Sequence, residues 1–165
     1  MPAAVRTYLE MTDPSQLAAD PAGLPGLTLV RERECPPPLW RRLYAEVGRE
    51  YQWVDRLGWT DDEIRGYLGD PDVELWILRE GTETAGYFEL RRDTDGGVEI
   101  AYFGLLPAFI GRGFGRYLLS AAVRRGWALG ASRVWVHTSS FDHPSALPNY
   151  LARGFSVWKQ ETYQV

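Results

Sequence analysis

Hydrophobic and polar positions alternate with a period of two along several stretches of this chain and recur at helical spacing in others. Leu27–Glu34 (LTLVRERE) alternates as a strand does. So do Val73–Glu80, Thr84–Arg92 and Val98–Leu106, which are separated by turns at Gly81 and at Asp95-Gly96-Gly97. Strands joined by such tight turns predict an antiparallel meander. Between the first strand and the meander, Leu39, Trp40, Leu43, Tyr44 and Val47 fall on one helical stripe, opened by Pro36, Pro37 and Pro38. A second helical stretch is expected at Tyr51–Leu57. A third follows Thr60, an N-cap residue trailed by Asp61, Asp62 and Glu63.

The pattern changes after Pro107. Phe114, Tyr117, Leu118, Ala121, Ala122 and Ala128 recur at helical spacing, and Gly130 is a natural stop. A strand at Ser132–Thr138, a short helix near Pro144–Arg153 and a strand at Phe155–Val165 follow. Residues 12–26, rich in Pro, Gly and Asp, read as a loop after a short strand at Tyr8–Met11, so 1–26 is expected as an irregular N-terminal extension. The resulting order, β-α-α-β-β-β-α-β-α-β, predicts an α+β (mixed α/β) domain over 1–165. Its sheet should be mostly antiparallel with helices on both faces, and the β-α-β unit across Val98–Thr138 parallel and right-handed.

Composition narrows the function. The 165 residues suffice for one domain with a real core, and 45% hydrophobic with 24% charged residues is ordinary for a globular protein. The net charge of −4 is dispersed and no basic stripe appears, which argues against nucleic acid as a partner. No run approaches the ~18 apolar residues of a membrane span, and the first residues lack a signal-peptide pattern, so a cytoplasmic address and no membrane partner are expected. Cys35 is the only cysteine and His137 and His143 the only histidines, so an internal disulfide is excluded and no metal site is expected. Trp, Tyr and Phe are abundant enough to leave room for an aromatic-walled pocket besides the core.

The most informative segment is GLLPAFIGRGFGRYLL, where the strand ending near Leu105 turns into the following helix. Gly111, Gly113 and Gly115 permit positive φ and close approach of a ligand to the main chain. Unpaired first-turn N–H groups and the helix dipole favour phosphate oxygens there, and Arg112 and Arg116 add charge. A purely structural turn rarely needs so many glycines. A Rossmann fingerprint fails on spacing, and its expected acid ~20 residues on is Trp135. A P-loop fails because the segment has no lysine. The residues by themselves point to a pyrophosphate-containing ligand.

The segment resembles the GNAT superfamily of acetyl-CoA-dependent N-acetyltransferases, whose signature is [QR]-x-x-G-x-[GA] before a long helix. Gly113 and Gly115 match within Ile110–Gly115, while Ile110 stands where Gln or Arg is usual. HPSALPNYLARGF, residues 143–155, is similar to a later family motif: Ala146, Tyr150, Gly154 and Phe155 match, whereas His143 and Asn149 depart from it. The resemblance implies that Ile110, Gly111, Arg112, Gly113, Phe114, Gly115 and Arg116 hold the pyrophosphate of acetyl-CoA. It further implies that the main chain of Phe103, Gly104 and Leu105 lines the pantetheine.

Acyl transfer to an amine needs a base, because an alkylammonium has a pKa near ~10.4. It also needs N–H donors for the oxyanion and a proton for the leaving thiolate. By resemblance, Glu99 is the base and Tyr150 the acid; the main-chain N–H of Leu105 would polarise the thioester carbonyl. His137, at the end of a strand, is the other base candidate. Pro148 threatens the helix that carries Tyr150. Trp40, Tyr44, Tyr51, Trp53, Trp59 and Tyr67, with nearby acids, would suit a cationic acceptor, though most are expected to serve the core. The acceptor is a small-molecule or peptide amine of unread identity. A non-catalytic acyl-CoA-binding module is the alternative, and a homodimer is a possible assembly.

Overall fold

The computed structural model describes residues 3–18, 24–51 and 53–164. Its strands are β1 (Ala3–Met11), β2 (Leu27–Arg31), β3 (Val73–Glu80), β4 (Glu83–Arg92), β5 (Val98–Leu105), β6 (Val134–Ser139) and β7 (Ser156–Gln164). Its helices are α1 (Pro37–Gly48), α2 (Asp61–Leu68), α3 (Phe114–Ala128) and α4 (Ala146–Arg153). All the strands lie in one seven-stranded sheet in the order β2-β3-β4-β5-β6-β1-β7. Every pairing is antiparallel except β5 with β6, joined by the crossover helix α3. The expected mixed, mostly antiparallel sheet with a parallel β-α-β unit is the observed one.

Helices cover both faces of the β3–β6 half. A Cβ on Gly104 of β5 would run into the Val47 side chain of α1, whereas one on Gly126 of α3 would meet Val134 at 2.9 Å and Val98 at 3.7 Å. So α1 and α3 press on opposite sides of the sheet at distances that only glycine allows. Leu75, Ile77, Leu78, Phe88, Leu90, Leu118, Leu119 and Val123, all nearly or wholly inaccessible, fill the two interfaces.

The N-terminal reading needs correction. Residues 1–26 are not an irregular extension: Ala3–Met11 is a nine-residue strand inserted between β6 and β7, with Leu9 and Met11 fully buried. Its first half escapes a hydrophobicity pattern because the buried positions there are the small Ala4 and the polar Thr7. Part of the loop call, residues 19–23, lies outside the described residues, as does Val165 at the end of the last expected strand.

Two further differences matter for the site. Tyr51–Leu57 is not a helix; a 3-10 turn at Arg49–Tyr51 gives way to a loop. That loop makes scattered main-chain turns, Leu57 to Val54 and Trp59 to Arg56, and side chains anchor it to the rest of the protein. The last helix starts at Ala146 and not at Pro144, so Pro148 sits in its first turn, where a missing N–H breaks no helical hydrogen bond. The feared kink under Tyr150 does not arise. Thr60 caps α2 through a full capping box with Glu63, as its sequence suggests.

Gly154 joins α4 to β7 with φ of +113°, and a Cβ there would collide with the main-chain oxygen of Gln16. Gly154→Ala therefore combines left-handed strain with a backbone clash. It is expected to lower the unfolding free energy by about 2–4 kcal/mol in urea titration.

Candidate active site

Pairing between β5 and β6 ends after Val98↔Val134 and Glu99↔Trp135. Beyond Glu99 the two strands share no ladder, and a cavity of about 1170 Å³ opens between them. One wall is residues 100–105 of β5; the other is Val136, His137 and Ser139 of β6. Main-chain groups of β5 that point away from β4 are left without a partner strand there, free to bond a ligand.

The glycine turn closes one end of this cleft. Gly111 and Gly113 have φ of +86° and +82°, and a Cβ on either would meet nothing within 4 Å, so the main chain there is open to approach. Gly113 is the N-cap of the 15-residue helix α3 and offers no side-chain cap. The first-turn N–H groups are thus left for an anion. Ile110, Gly111, Gly115 and Arg116 line the cleft, as do Phe103, Gly104 and Leu105. Arg112, Gly113 and Phe114 do not. Phe114 is buried and stacks on Phe109, while Arg112 makes two hydrogen bonds to Glu80, at 3.0 and 2.6 Å, and lies over the Phe114 ring. Asn149, where the family motif has Leu, donates to the Gly115 carbonyl at 3.3 Å and ties α4 to the first turn of α3. The open glycines, the uncapped helix start and Arg116 fit the phosphates of an acyl-CoA.

Glu99 and His137 stand at the fork where the strands part. Glu99 is only 4% exposed; one carboxylate oxygen is held by Arg91, and the other is 3.9 Å from His137 Nε2. Burial raises its pKa against the opposing pull of Arg91. His137 is more open to the cleft, with 38% of its side chain accessible. Partial desolvation and the charge of Arg6 hold its pKa below the usual value. Across the cleft Tyr150 is 5% exposed, its ring near Phe103 and Phe155, and burial raises its pKa. Its hydroxyl makes no hydrogen bond to any described residue, yet Tyr150 lines the cavity. His143 accepts from the Ser145 N–H and helps start α4. Cys35 is buried, with its thiol pushed up to about 12, and takes no part.

The other end of the cleft is built on a buried ion pair. Glu89 of β4 is wholly inaccessible and accepts hydrogen bonds from Arg56 Nη1 (2.8 Å), Tyr67 Oη (2.8 Å) and Trp40 Nε1 (2.9 Å). The Arg56 guanidinium sits within 5.5 Å of the Trp40, Trp59, Tyr67 and Tyr102 ring centres. Trp40, Trp59 and Tyr67 thus serve this foundation, as expected of core aromatics, and do not line the cleft. Tyr44, Tyr51, Trp53 and Tyr102 do. Trp53 Nε1 reaches Asp142 Oδ1 at 3.5 Å and Tyr51 meets the His143 ring edge-on, so the loop after α1 touches the β6–α4 turn across the opening. Sequence reasoning missed Arg6, Arg91, Tyr102 and Tyr163 as lining residues. Arg6 lies on the first half of β1, which was expected to be irregular, and nothing in the linear pattern marks the other three.

The cleft is thus a wedge between a parallel strand pair, with an uncapped helix start at one end and the titratable Glu99 and His137 at its apex. A family model described as the acetyltransferase (GNAT) family matches residues 39–155. The chain belongs to that family. Solved structures with similar folds include a GCN5-related N-acetyltransferase from Kribbella flavida, 17% identical with a TM-score of 0.67, covering 96% of this chain and 56% of that one. A second, from Sphaerobacter thermophilus, is 20% identical with a TM-score of 0.67, covering 97% and 50%. An aminoglycoside acetyltransferase from an uncultured soil metagenomic sample is 15% identical with a TM-score of 0.64, covering 78% and 87%. The chain spans only 56% and 50% of the first two structures. Comparison with curated proteins gave no match. Among the described residues no helix is long and apolar enough to cross a membrane.

Two outcomes follow from the electrostatics. The imidazole of His137, followed by proton NMR, is expected to titrate below the usual histidine range and to move back up in Arg6→Gln. Glu89→Ala leaves the buried Arg56 unpaired and is expected to cost about 3–5 kcal/mol in urea unfolding. Replacing both partners by apolar residues (Arg56→Met with Glu89→Leu) should recover much of that loss.

Proposed function

We propose that this chain is an N-acetyltransferase, moving the acetyl group of acetyl-CoA to a primary amine by direct attack. The observation that carries the reading is that one cleft joins an open, uncapped helix start to a titratable pair and an unpartnered tyrosine hydroxyl. Acetyl-CoA supplies the activated thioester. The glycine turn, the N-terminal N–H groups of α3 and Arg116 hold its phosphates, and the main chain of Phe103, Gly104 and Leu105 lies along its arm. The Leu105 N–H is the donor for the developing oxyanion.

Glu99 and His137 share the base role. Glu99 is nearly inaccessible and held by Arg91, while His137 is the member of the pair that is more open to the cleft. The ammonium proton therefore goes to His137, and Glu99 balances the imidazolium. The freed nitrogen bonds to the acyl carbon as the carbon–sulfur bond breaks, and the leaving thiolate takes the proton that Tyr150 offers. The second nitrogen proton, shed as the amide forms, restores Tyr150, and His137 returns its proton to solvent. A raised pKa keeps Tyr150 protonated until that moment. The acyl-binding module without turnover finds less support, because binding alone gives no reason for His137 and the Tyr150 hydroxyl to line the same cleft as the glycine turn.

Calorimetric titration is the direct test. Acetyl-CoA is expected to bind in the micromolar range with NAD and ATP silent, and Gly111→Trp should weaken binding at least ~10-fold. Tyr150→Phe and His137→Gln should each lower kcat by about 10²-fold, with the His137→Gln loss shrinking as pH rises toward the amine's own pKa. Binding of acetyl-CoA with no turnover on any amine would support the non-catalytic module instead.

A further inference from the structure

We infer that the acceptor is a primary amine with an aromatic body and no carboxylate, held against Trp53 and Tyr102, which the buried Tyr44 backs. The inference rests on the acetyl-transfer reading and names the substrate class for that site.

The first argument is the wall itself. Tyr44 of α1, Trp53 of the following loop and Tyr102 of β5 form a ring cluster with centroid separations of 5.7 Å (Tyr44–Trp53), 5.6 Å (Tyr44–Tyr102) and 5.0 Å (Trp53–Tyr102). All three line the cleft. Tyr102 owes its direction to a bulge: Leu90 pairs with Ile100 and Glu89 with Tyr102, leaving Ala101 unpaired on β5. Regular alternation would send Tyr102 to the face opposite Glu99. The extra residue returns it to the same face, three positions further along the cleft wall. Arg56 stacks 4.0 Å from the Tyr102 ring centre on its protein side, and Asp142 tethers Trp53. The wall is therefore fixed before a ligand arrives, which removes much of the ordering cost of binding a flat apolar body. Val54, 60% exposed, extends the apolar surface to the mouth.

The second argument is charge. The arginines that line this end are already committed: Arg6 to Glu161, Arg56 to Glu89 and Arg91 to Glu99. None is left over to receive a carboxylate or phosphate on the acceptor. Of the carboxylates, Asp142 accepts from Thr138 Oγ1, the Ser139 N–H and Trp53 Nε1. Asp55 lines the cleft, is exposed and has no ion-pair partner among the described residues. Neutral donors orient Asp142 without cancelling its charge, so together with Asp55 the surplus at this end is negative, which draws a cationic amine and repels a carboxylate. With the ring against Tyr102, the ammonium lies toward Glu99 and His137 on the same face.

The test compares 2-phenylethylamine with butylamine, spermidine and phenylalanine, following release of the CoA thiol from acetyl-CoA. The expected kcat/KM for 2-phenylethylamine exceeds that of each other amine at least tenfold. Tyr102→Leu should raise its KM at least fivefold while leaving the butylamine KM within twofold. Asp55→Asn should lower kcat/KM for 2-phenylethylamine at low salt and converge with wild type at high salt. Preference for spermidine or phenylalanine, or acetyl-CoA binding with no turnover of 2-phenylethylamine, overturns the substrate class and leaves the cofactor reading standing. Absence of acetyl-CoA binding sinks that reading instead. In that case saturable quenching of tryptophan fluorescence by 2-phenylethylamine, lost in Trp53→Leu, still reports the aromatic site, and no quenching overturns it.

Discussion

The structure depends on where β5 and β6 stop pairing. Parallel strands joined through a crossover helix have no local reason to separate, and each lost ladder bond must be replaced by something else. Here separation begins after Glu99↔Trp135, and what stands in the gap are side chains of neighbouring elements and the main chain of β5 itself. Had the ladder continued to Leu105, the main-chain groups beside the glycine turn would be spent on β6. The start of α3 would then face a closed sheet. The fork makes one space of an anion-binding helix end, a bare strand edge and the titratable groups that sit at its apex.

A second constraint holds the opposite wall. Burying a carboxylate as completely as Glu89 is costly unless every oxygen is satisfied. It is satisfied by donors from α1, from α2 and from the loop between them. The pair therefore does for that loop what main-chain hydrogen bonds do for a helix. It fixes Arg56, and through Arg56 the position of Tyr102. A loop with no regular structure becomes a preorganised surface because an ion pair with aromatic walls nails it down.

Much of the fold was legible in the sequence because it rests on local signals. The meander announced itself through alternation and glycine turns, α2 through its capping box, and α3 through its stripe and the glycines before it. The elements that were misread lack such signals. β1 buries Ala4 and Thr7, and so looks polar where it is interior. The loop at 53–60 carries apolar residues at roughly helical spacing, yet it is ordered by a residue, Glu89, far away in the chain. Of the residues lining the cleft, those of the glycine turn and Tyr150 stand in motifs, and Glu99 was singled out by resemblance. Arg91, Arg6 and Tyr102 carry no such mark, since a bulge and a strand insertion decide which way they point.

The departures from the family motif are intelligible on the same physical grounds. Ile110 replaces a polar residue and Pro148 enters a helix, yet neither touches what the cleft relies on. Ile110 lines the cavity through an extended backbone at ψ of 142°, and the donors that follow it are main-chain N–H groups, indifferent to its side chain. Pro148 falls where a helix has no use for an N–H, and the neighbouring Asn149 adds a bond from α4 to the α3 start that Leu at that position could not make. Recognition written into backbone geometry tolerates change in side chains around it. The aromatic wall of Trp53 and Tyr102, proposed above to meet the acceptor, is written in side chains instead, and so it is there that proteins sharing this fold are free to differ.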